Sequence, residues 1–168
     1  MDFKLLGQRY TTSKYVDLLT FKSAPNSYGF RGQSLASIIE VSEYVKITSR
    51  HQNDDTTWAK TYRNGKLIEL FETTTRPSKG TTVEICGYLY NLNIQNKSIN
   101  VIQEKSDIKT FLKQLSLVHI NISLSLRDDS RNEIIFKMHK NKDMYPILKL
   151  LFDIDKMNVQ ELKVEKNE

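Results

Sequence analysis

Residues 29–34 read Gly29-Phe30-Arg31-Gly32-Gln33-Ser34 and run directly into the apolar stretch Leu35-Ala36-Ser37-Ile38-Ile39. That pattern can build an anion site. Glycine has no Cβ, so its backbone reaches positive φ and can approach a ligand closely. The first N–H groups of a helix have no intrahelical acceptor and lie at the positive end of its dipole, which suits a phosphate. Arg31 adds a guanidinium fork for charge-assisted hydrogen bonds. Two more groups carry chemistry. In Arg9-Tyr10-Thr11-Thr12-Ser13-Lys14, hydroxyls beside an ammonium can close over a phosphate tail, or simply cap a helix. Gly80-Thr81 opens a β-branched stretch, where Thr81 can present its hydroxyl to a buried polar ligand.

These groups need elements to hold them. The segment 2–8 reads as the end of a helix with Gly7 near its terminus. The stretch 9–28 is rich in Thr, Ser, Lys and Asn, and Pro25-Asn26 is a turn signal, so it reads as a long loop of the kind that often acts as a lid. A helix follows over 33–40, then a strand over 44–48. Two strands, Thr57–Arg63 and Lys66–Thr73, flank Asn64-Gly65, the strongest hairpin signal in the chain. Residues 81–86 form another strand. Ile108, Phe111, Leu112, Leu115 and Val118 recur at helical spacing and predict an amphipathic helix within 99–118. Strict alternation over 120–126 predicts a strand, and 134–138 pairs back on it. A short helix over 145–152 and a strand near 159–164 complete the chain. This order argues for an α+β fold with helices on one face of a mostly antiparallel sheet.

Composition narrows the class without naming a function. The chain has 168 residues, 39% of them hydrophobic and 27% charged, with a formal net charge of +5. No apolar run is long enough for a membrane span, and the N-terminus lacks a signal-peptide pattern. The positive charge permits nucleic-acid contact, but the acidic residues are interspersed throughout. Cys86 is the only cysteine, so no internal disulfide framework exists and a reducing compartment fits. His51, His119 and His139 lack metal-ligand spacing. The phosphate loop Gly-x-x-x-x-Gly-Lys-Ser/Thr, the Gly-x-Gly-x-x-Gly fingerprint and the Gly-x-Ser-x-Gly elbow do not occur.

In order and spacing, the three chemical groups resemble the MutL-homologue DNA mismatch-repair family. Its ATP-binding domain carries Arg-x-x-Thr-Ser-Lys, then Gly-Phe-Arg-Gly-Glu-Ala-Leu-Ala-Ser-Ile, then Gly-Thr-x-Val. Here these read Arg9 to Lys14, Gly29 to Ile38, and Gly80-Thr81-Thr82-Val83. Val41-Ser42 also fits. Leu115-Ser116-Leu117-Val118-His119 with Ile122-Ser123-Leu124-Ser125-Leu126 looks most like the branch that serves meiotic crossing-over as well as repair. The resemblance covers nearly the whole chain. It implies a partial GHKL (Bergerat-type) ATPase sandwich over 1–140, and the start of a domain resembling ribosomal protein S5 over 141–168. It further implies ATP and Mg as cofactors, a related MutL-homologue subunit as heterodimer partner, DNA, no membrane association, and a nuclear location. By the same resemblance, Thr12, Ser13 and Lys14 belong to a lid over the nucleotide. Gly29, Phe30, Arg31, Gly32, Gln33 and Ser34 form the phosphate loop, and Thr81 lies near the adenine.

The departures set further expectations. Gln33 and Ser34 stand where the family has Glu-Ala, which removes a charge but leaves the backbone N–H groups. The family's Asn-x-Pro-x-Arg-Arg-Lys becomes Asn91-Leu92-Asn93-Ile94-Gln95-Asn96-Lys97, without the proline or the arginines. The resemblance places the family's catalytic glutamate, magnesium-binding asparagine and Asp-x-Gly-x-Gly upstream of the lid, and none of them occurs among the eight residues before Arg9. The expectation is therefore an ATPase-domain fragment, truncated at its N-terminus, that binds nucleotide and has no turnover alone. A different class is also open on the residues: Gly29-Phe30-Arg31-Gly32 fits the Gly-x-x-Gly loop of a non-catalytic KH-like nucleic-acid-binding module.

Overall fold

A computed structural model describes residues 3–12, 29, 31–53, 55–74 and 76–152. Ser13, Lys14, most of the expected loop, Phe30 and the expected strand near 159–164 lie outside the described residues. The chain divides into two compact units, Met1–Ser98 and Ile99–Glu168.

The first unit is built on a four-stranded sheet in the order β3-β2-β1-β4, with β1 at Ser42–Arg50, β2 at Thr57–Arg63, β3 at Lys66–Thr73 and β4 at Gly80–Tyr88. All three pairings are antiparallel. The hairpin between β2 and β3 turns at Asn64 and Gly65, whose φ values of 51° and 76° are those a type I′ turn requires. Helix α1, Ser34–Val41, precedes β1. Its Ala36 and Ile39 are buried three residues apart, the helical spacing that puts both on one face. The helix gives way to extended backbone at Ser42, whose hydroxyl donates to the Ile38 carbonyl at 2.6 Å.

Directly paired residues share a face of the sheet. Val45 sits between Tyr62 and Ile85, Ile47 between Lys60 and Val83, and Ser49 between Trp58 and Thr81. On that face Ile39, Val45, Ile47 and Tyr62 form a core cluster, with Phe3, Leu6 and Leu35 packed against it. Phe3–Leu5 is a 3-10 turn rather than the end of an α-helix, although Gly7 does follow it at positive φ. Helix α2, Asn93–Ser98, was not anticipated from periodicity; six residues are too short for an apolar repeat to register.

The second unit packs helix α3, Val101–Val118, and helix α4, Tyr145–Phe152, with a hairpin of β5, Leu124–Asp128, and β6, Glu133–Met138. Asn100 caps α3, its side-chain oxygen accepting from the N–H groups of Ile102 and Gln103. Phe136, Met138, Ile147 and Leu151 form the core, with Leu112, Leu117 and Leu126 among the residues against it. Lys105 of α3 pairs with Asp128 of β5, which holds the Asp128 carboxyl well below its usual range. The alternating stretch 120–126 becomes strand only from Leu124. Before that the Ile120 carbonyl accepts from Asn141 N–H at 2.7 Å and the Ser123 hydroxyl from Lys140 N–H at 3.0 Å. Those bonds close a turn in place of a ladder. The α+β class and the antiparallel sheet agree with the reading of the sequence.

Ile47 is 1% exposed and Ile68 is 60% exposed. Ile47→Ala is expected to cost about 2–5 kcal/mol in urea denaturation, and Ile68→Ala to stay within about 0.5 kcal/mol of wild type. Similar losses at both positions would contradict this placement of the core.

Candidate functional site

The segment from Phe3 to Thr12 is fastened at several points, starting in the sheet. Lys60 of β2 is 1% exposed, and its ammonium donates to the carbonyls of Lys4 at 2.6 Å and Leu6 at 2.8 Å. The Tyr62 hydroxyl donates to the same Leu6 carbonyl at 2.6 Å. The ammonium also lies 5.4 Å from the centroid of the Tyr62 ring, within cation–π range. Burial pushes the Tyr62 phenol above its usual pKa, so it remains a donor. Gly7 follows at φ 86°, and a Cβ there would stand 2.6 Å from the Tyr62 hydroxyl oxygen. Only glycine accommodates both the conformation and the space.

Arg9 then pairs in bidentate fashion with Glu40, near the end of α1, its Nε donating to one carboxylate oxygen at 2.8 Å and its Nη2 to the other. The hydrogen bond and charge of Arg9 hold the Glu40 carboxyl below its usual pKa. Asn91 donates to the backbone carbonyl of Glu40 at 3.2 Å, so part of the departed basic motif now braces the end of α1.

Beyond Arg9 the chain crosses the glycine turn. Tyr10 N–H donates to the Gly32 carbonyl at 3.0 Å, and the Thr12 hydroxyl to the Gly29 carbonyl at 2.9 Å. The Thr11 hydroxyl donates back to the carbonyls of Leu5 and Gln8. Gly32 has φ 62°, and a Cβ on it would lie 2.5 Å from the Thr11 carbonyl oxygen. Gly29 has φ 84° with nothing within 4 Å of a built Cβ. Among the described residues nothing packs against the first glycine, and the second takes the close packing. Gln33 is the N-cap of α1 without a side-chain cap bond, and its carbonyl accepts from Ser37 N–H at 2.9 Å. Ser34 opens the helix, and both it and Arg31 are exposed. Thr12, Gly29, Gly32, Gln33 and Ser34 are therefore brought together at one helix start, beside Arg31. Ser13, Lys14 and Phe30 fall outside the described residues.

Thr81 stands elsewhere on the sheet. Its hydroxyl oxygen is 2.8 Å from that of Ser49 across the β1–β4 pair. Both line a cleft of about 1110 Å³ together with Phe3, Leu6, Trp58 and Lys79. The glycine turn does not line this cleft. Segment 3–6 is the link, because it forms one wall of the cleft and leads through Gly7 to the turn. Lys60, Tyr62 and Glu40 escaped the reading of the sequence. The available signal was a lysine at an inward strand position between Trp58 and Tyr62. Among the described residues no three His, Cys, Asp or Glu side chains converge as a metal site would need. No helix among them is long and apolar enough to cross a membrane.

No family model matches the chain. Individual proteins do. It is 33% identical over 144 residues to human "DNA mismatch repair protein Mlh3", covering 85% of this chain and 10% of that protein. Against MLH3 of Arabidopsis thaliana the identity is 29% over 149 residues, covering 88% of this chain and 13% of that protein. Against MutL of Dictyoglomus turgidum it is 30% over 158 residues, covering 92% and 26% respectively. The chain belongs to the MutL-homologue mismatch-repair family. It spans about a tenth of the length of the human Mlh3 it matches. The fold agrees: the Aquifex aeolicus MutL ATPase domain complexed with ADP superposes with a TM-score of 0.65 at 16% identity, covering 83% of this chain and 53% of that one. The N-terminal domain of a DNA repair protein gives 0.59 at 20%, covering 88% and 43%. A mixed α+β unit with an antiparallel sheet, part of a MutL-type GHKL ATPase domain, is therefore the fold.

Two outcomes test the fastening of this MutL-type segment. Gly32→Ala must displace the Thr11 backbone, so exchange of the Tyr10 amide accelerates more than in Gly29→Ala, where the strain is backbone conformation alone, roughly 1–2 kcal/mol. Equal effects would contradict the close packing. Glu40 has a lowered folded-state pKa, so its pairing with Arg9 stabilises above the ordinary carboxylate range and is lost as pH falls through the lowered value. The difference in denaturation midpoint between wild type and Glu40→Gln should accordingly shrink with acidification.

Proposed function

We propose that this chain is the ATP-binding portion of a MutL-type DNA mismatch-repair protein. Thr12, Ser13 and Lys14 serve as its lid base, and Gly29 to Ser34 hold the phosphates. One observation carries the reading. Segment 10–12 lies across the glycine turn and bonds to the carbonyls of Gly29 and Gly32, beside the N-terminus of α1. Those bonds use carbonyl oxygens of the turn, while the N–H groups that open a helix are the ones that suit an anion. A nucleotide also suits the cleft at Thr81, where the Ser49–Thr81 hydroxyl pair offers a polar contact beside Trp58. A MutL ATPase domain of the same fold is described as complexed with ADP.

In this reading ATP orders the lid, and lid closure favours pairing of two ATPase domains, this one and a related MutL-homologue subunit, around DNA. The similarity to human and plant Mlh3 supports a nuclear role in mismatch repair and meiotic recombination. Residues 1–140 would form the nucleotide domain and 141–168 the start of the S5-like domain. Membership of the MutL-homologue family favours a nucleotide over the backbone of single-stranded RNA as the ligand of the Gly29–Gly32 turn.

The test is binding of ADP and a non-hydrolysable ATP analogue to the purified 168-residue polypeptide, followed by calorimetry and amide exchange. The expected result is protection of the amides over 31–35 and an affinity about tenfold weaker in Arg31→Ala, the loss of one charge-assisted fork. No ATP turnover is expected from this polypeptide. Protection by single-stranded RNA and not by nucleotide would overturn the proposal.

A further inference from the structure

Lys60 is a buried charged group that the binding scheme above leaves unused. It points from β2 onto the inner face of the sheet, beside Ile47 and between Trp58 and Tyr62 along its own strand. Withdrawing an ammonium from water is costly unless its donors are satisfied. An apolar side chain of similar length would fill the same space beside Ile47 and Tyr62 without that cost. What the lysine adds is directional. Its donors hold two carbonyls two residues apart, Lys4 and Leu6, and the second is shared with the Tyr62 hydroxyl.

The held segment touches both parts of the candidate site. On one side Phe3, Lys4 and Leu6 wall the cleft that contains Thr81. On the other, the chain passes through Gly7 and the Arg9–Glu40 pair to the bonds of Tyr10 and Thr12 with the glycine turn. A nucleotide spanning base cleft and phosphate turn would depend on the distance between them, and segment 3–12 sets that distance. Fixing the segment before the ligand arrives removes an ordering cost from binding. We propose that Lys60 is a positioning residue for nucleotide binding, which registers segment 3–12 between the Thr81 cleft and the Gly29–Gly32 turn.

This inference rests on the nucleotide reading, and the experiment separates the two. Lys60→Met keeps length and apolar bulk but removes the donors; Lys60→Arg keeps donors and charge. Amide exchange is measured at Gln8 and Tyr10, whose N–H groups bond to the Leu5 and Gly32 carbonyls, and at Val45 and Ile47 in the sheet. Affinity for ADP is measured on the same samples. The expected result is faster exchange at Gln8 and Tyr10 in Lys60→Met with the sheet amides unchanged, an ADP affinity weakened about tenfold, and partial recovery of both in Lys60→Arg. Unchanged exchange at Gln8 and Tyr10 would overturn the positioning role. So would wild-type ADP affinity in Lys60→Met. Equal acceleration at the segment and in the sheet would also overturn it, because that is the signature of a general loss of stability. Should wild type bind no ADP, the nucleotide reading fails, and the exchange pattern alone decides whether Lys60 registers the segment. Should Lys60→Met not fold, the same comparisons are made with Lys60→Gln.

Discussion

The Leu6 carbonyl accepts from the Lys60 ammonium and the Tyr62 hydroxyl at once, and both donors belong to the sheet interior. Where that carbonyl sits decides where the chain goes next. Gly7 has to adopt positive φ under the Tyr62 ring, Arg9 then meets the end of α1, and residues 10–12 land on the glycine turn. A sheet residue thereby sets the geometry of a loop it does not touch. The coupling works because backbone polar groups drawn under a sheet must find partners, and a short connection leaves few ways to arrange them.

The two glycines of the turn show how one motif divides its labour. Both have positive φ, and both would resist a side chain on conformational grounds. Their surroundings differ. Gly32 is required by packing, since the Thr11 backbone occupies the space of its Cβ, whereas among the described residues nothing lies within 4 Å of a Cβ on Gly29. Close approach of chain to chain at Gly32 fits the lid-on-loop arrangement proposed above. Arg31 stands between the two glycines, at the positive end of α1.

Much of this was legible in the residues, where local chemistry is decisive. Asn64-Gly65 forced the hairpin, and the flanking strands run over Thr57–Arg63 and Lys66–Thr73 as the residues predict. The three motifs placed the glycine turn at a helix start and Thr81 at the head of a strand. What stayed hidden depends on partners distant in sequence. Lys60 and the Lys4 carbonyl are 56 residues apart, and Arg9 and Glu40 are 31 apart. A lysine at an inward strand position looks like an error in patterning until the carbonyls it holds are known. The alternation over 120–126 misled for a similar reason, because residues 120 and 123 bond to the distant Asn141 and Lys140 without a regular ladder.

Binding and hydrolysis place different demands on a site, and the groups gathered here meet only the first. Holding a polyphosphate takes N–H donors, a guanidinium and hydroxyls, the roles proposed above for the helix start, Arg31 and Thr12. Activating water takes a carboxylate with free lone pairs and a pKa near the working pH. The carboxylate that contacts the segment leading into the turn is that of Glu40. Both of its oxygens accept from Arg9, and its pKa is pulled down. Each effect weakens it as a base. Glu40 is accordingly a strut for the segment and not a participant in chemistry. In the reading proposed above, such a turn would retain a nucleotide without Glu40 acting as the base.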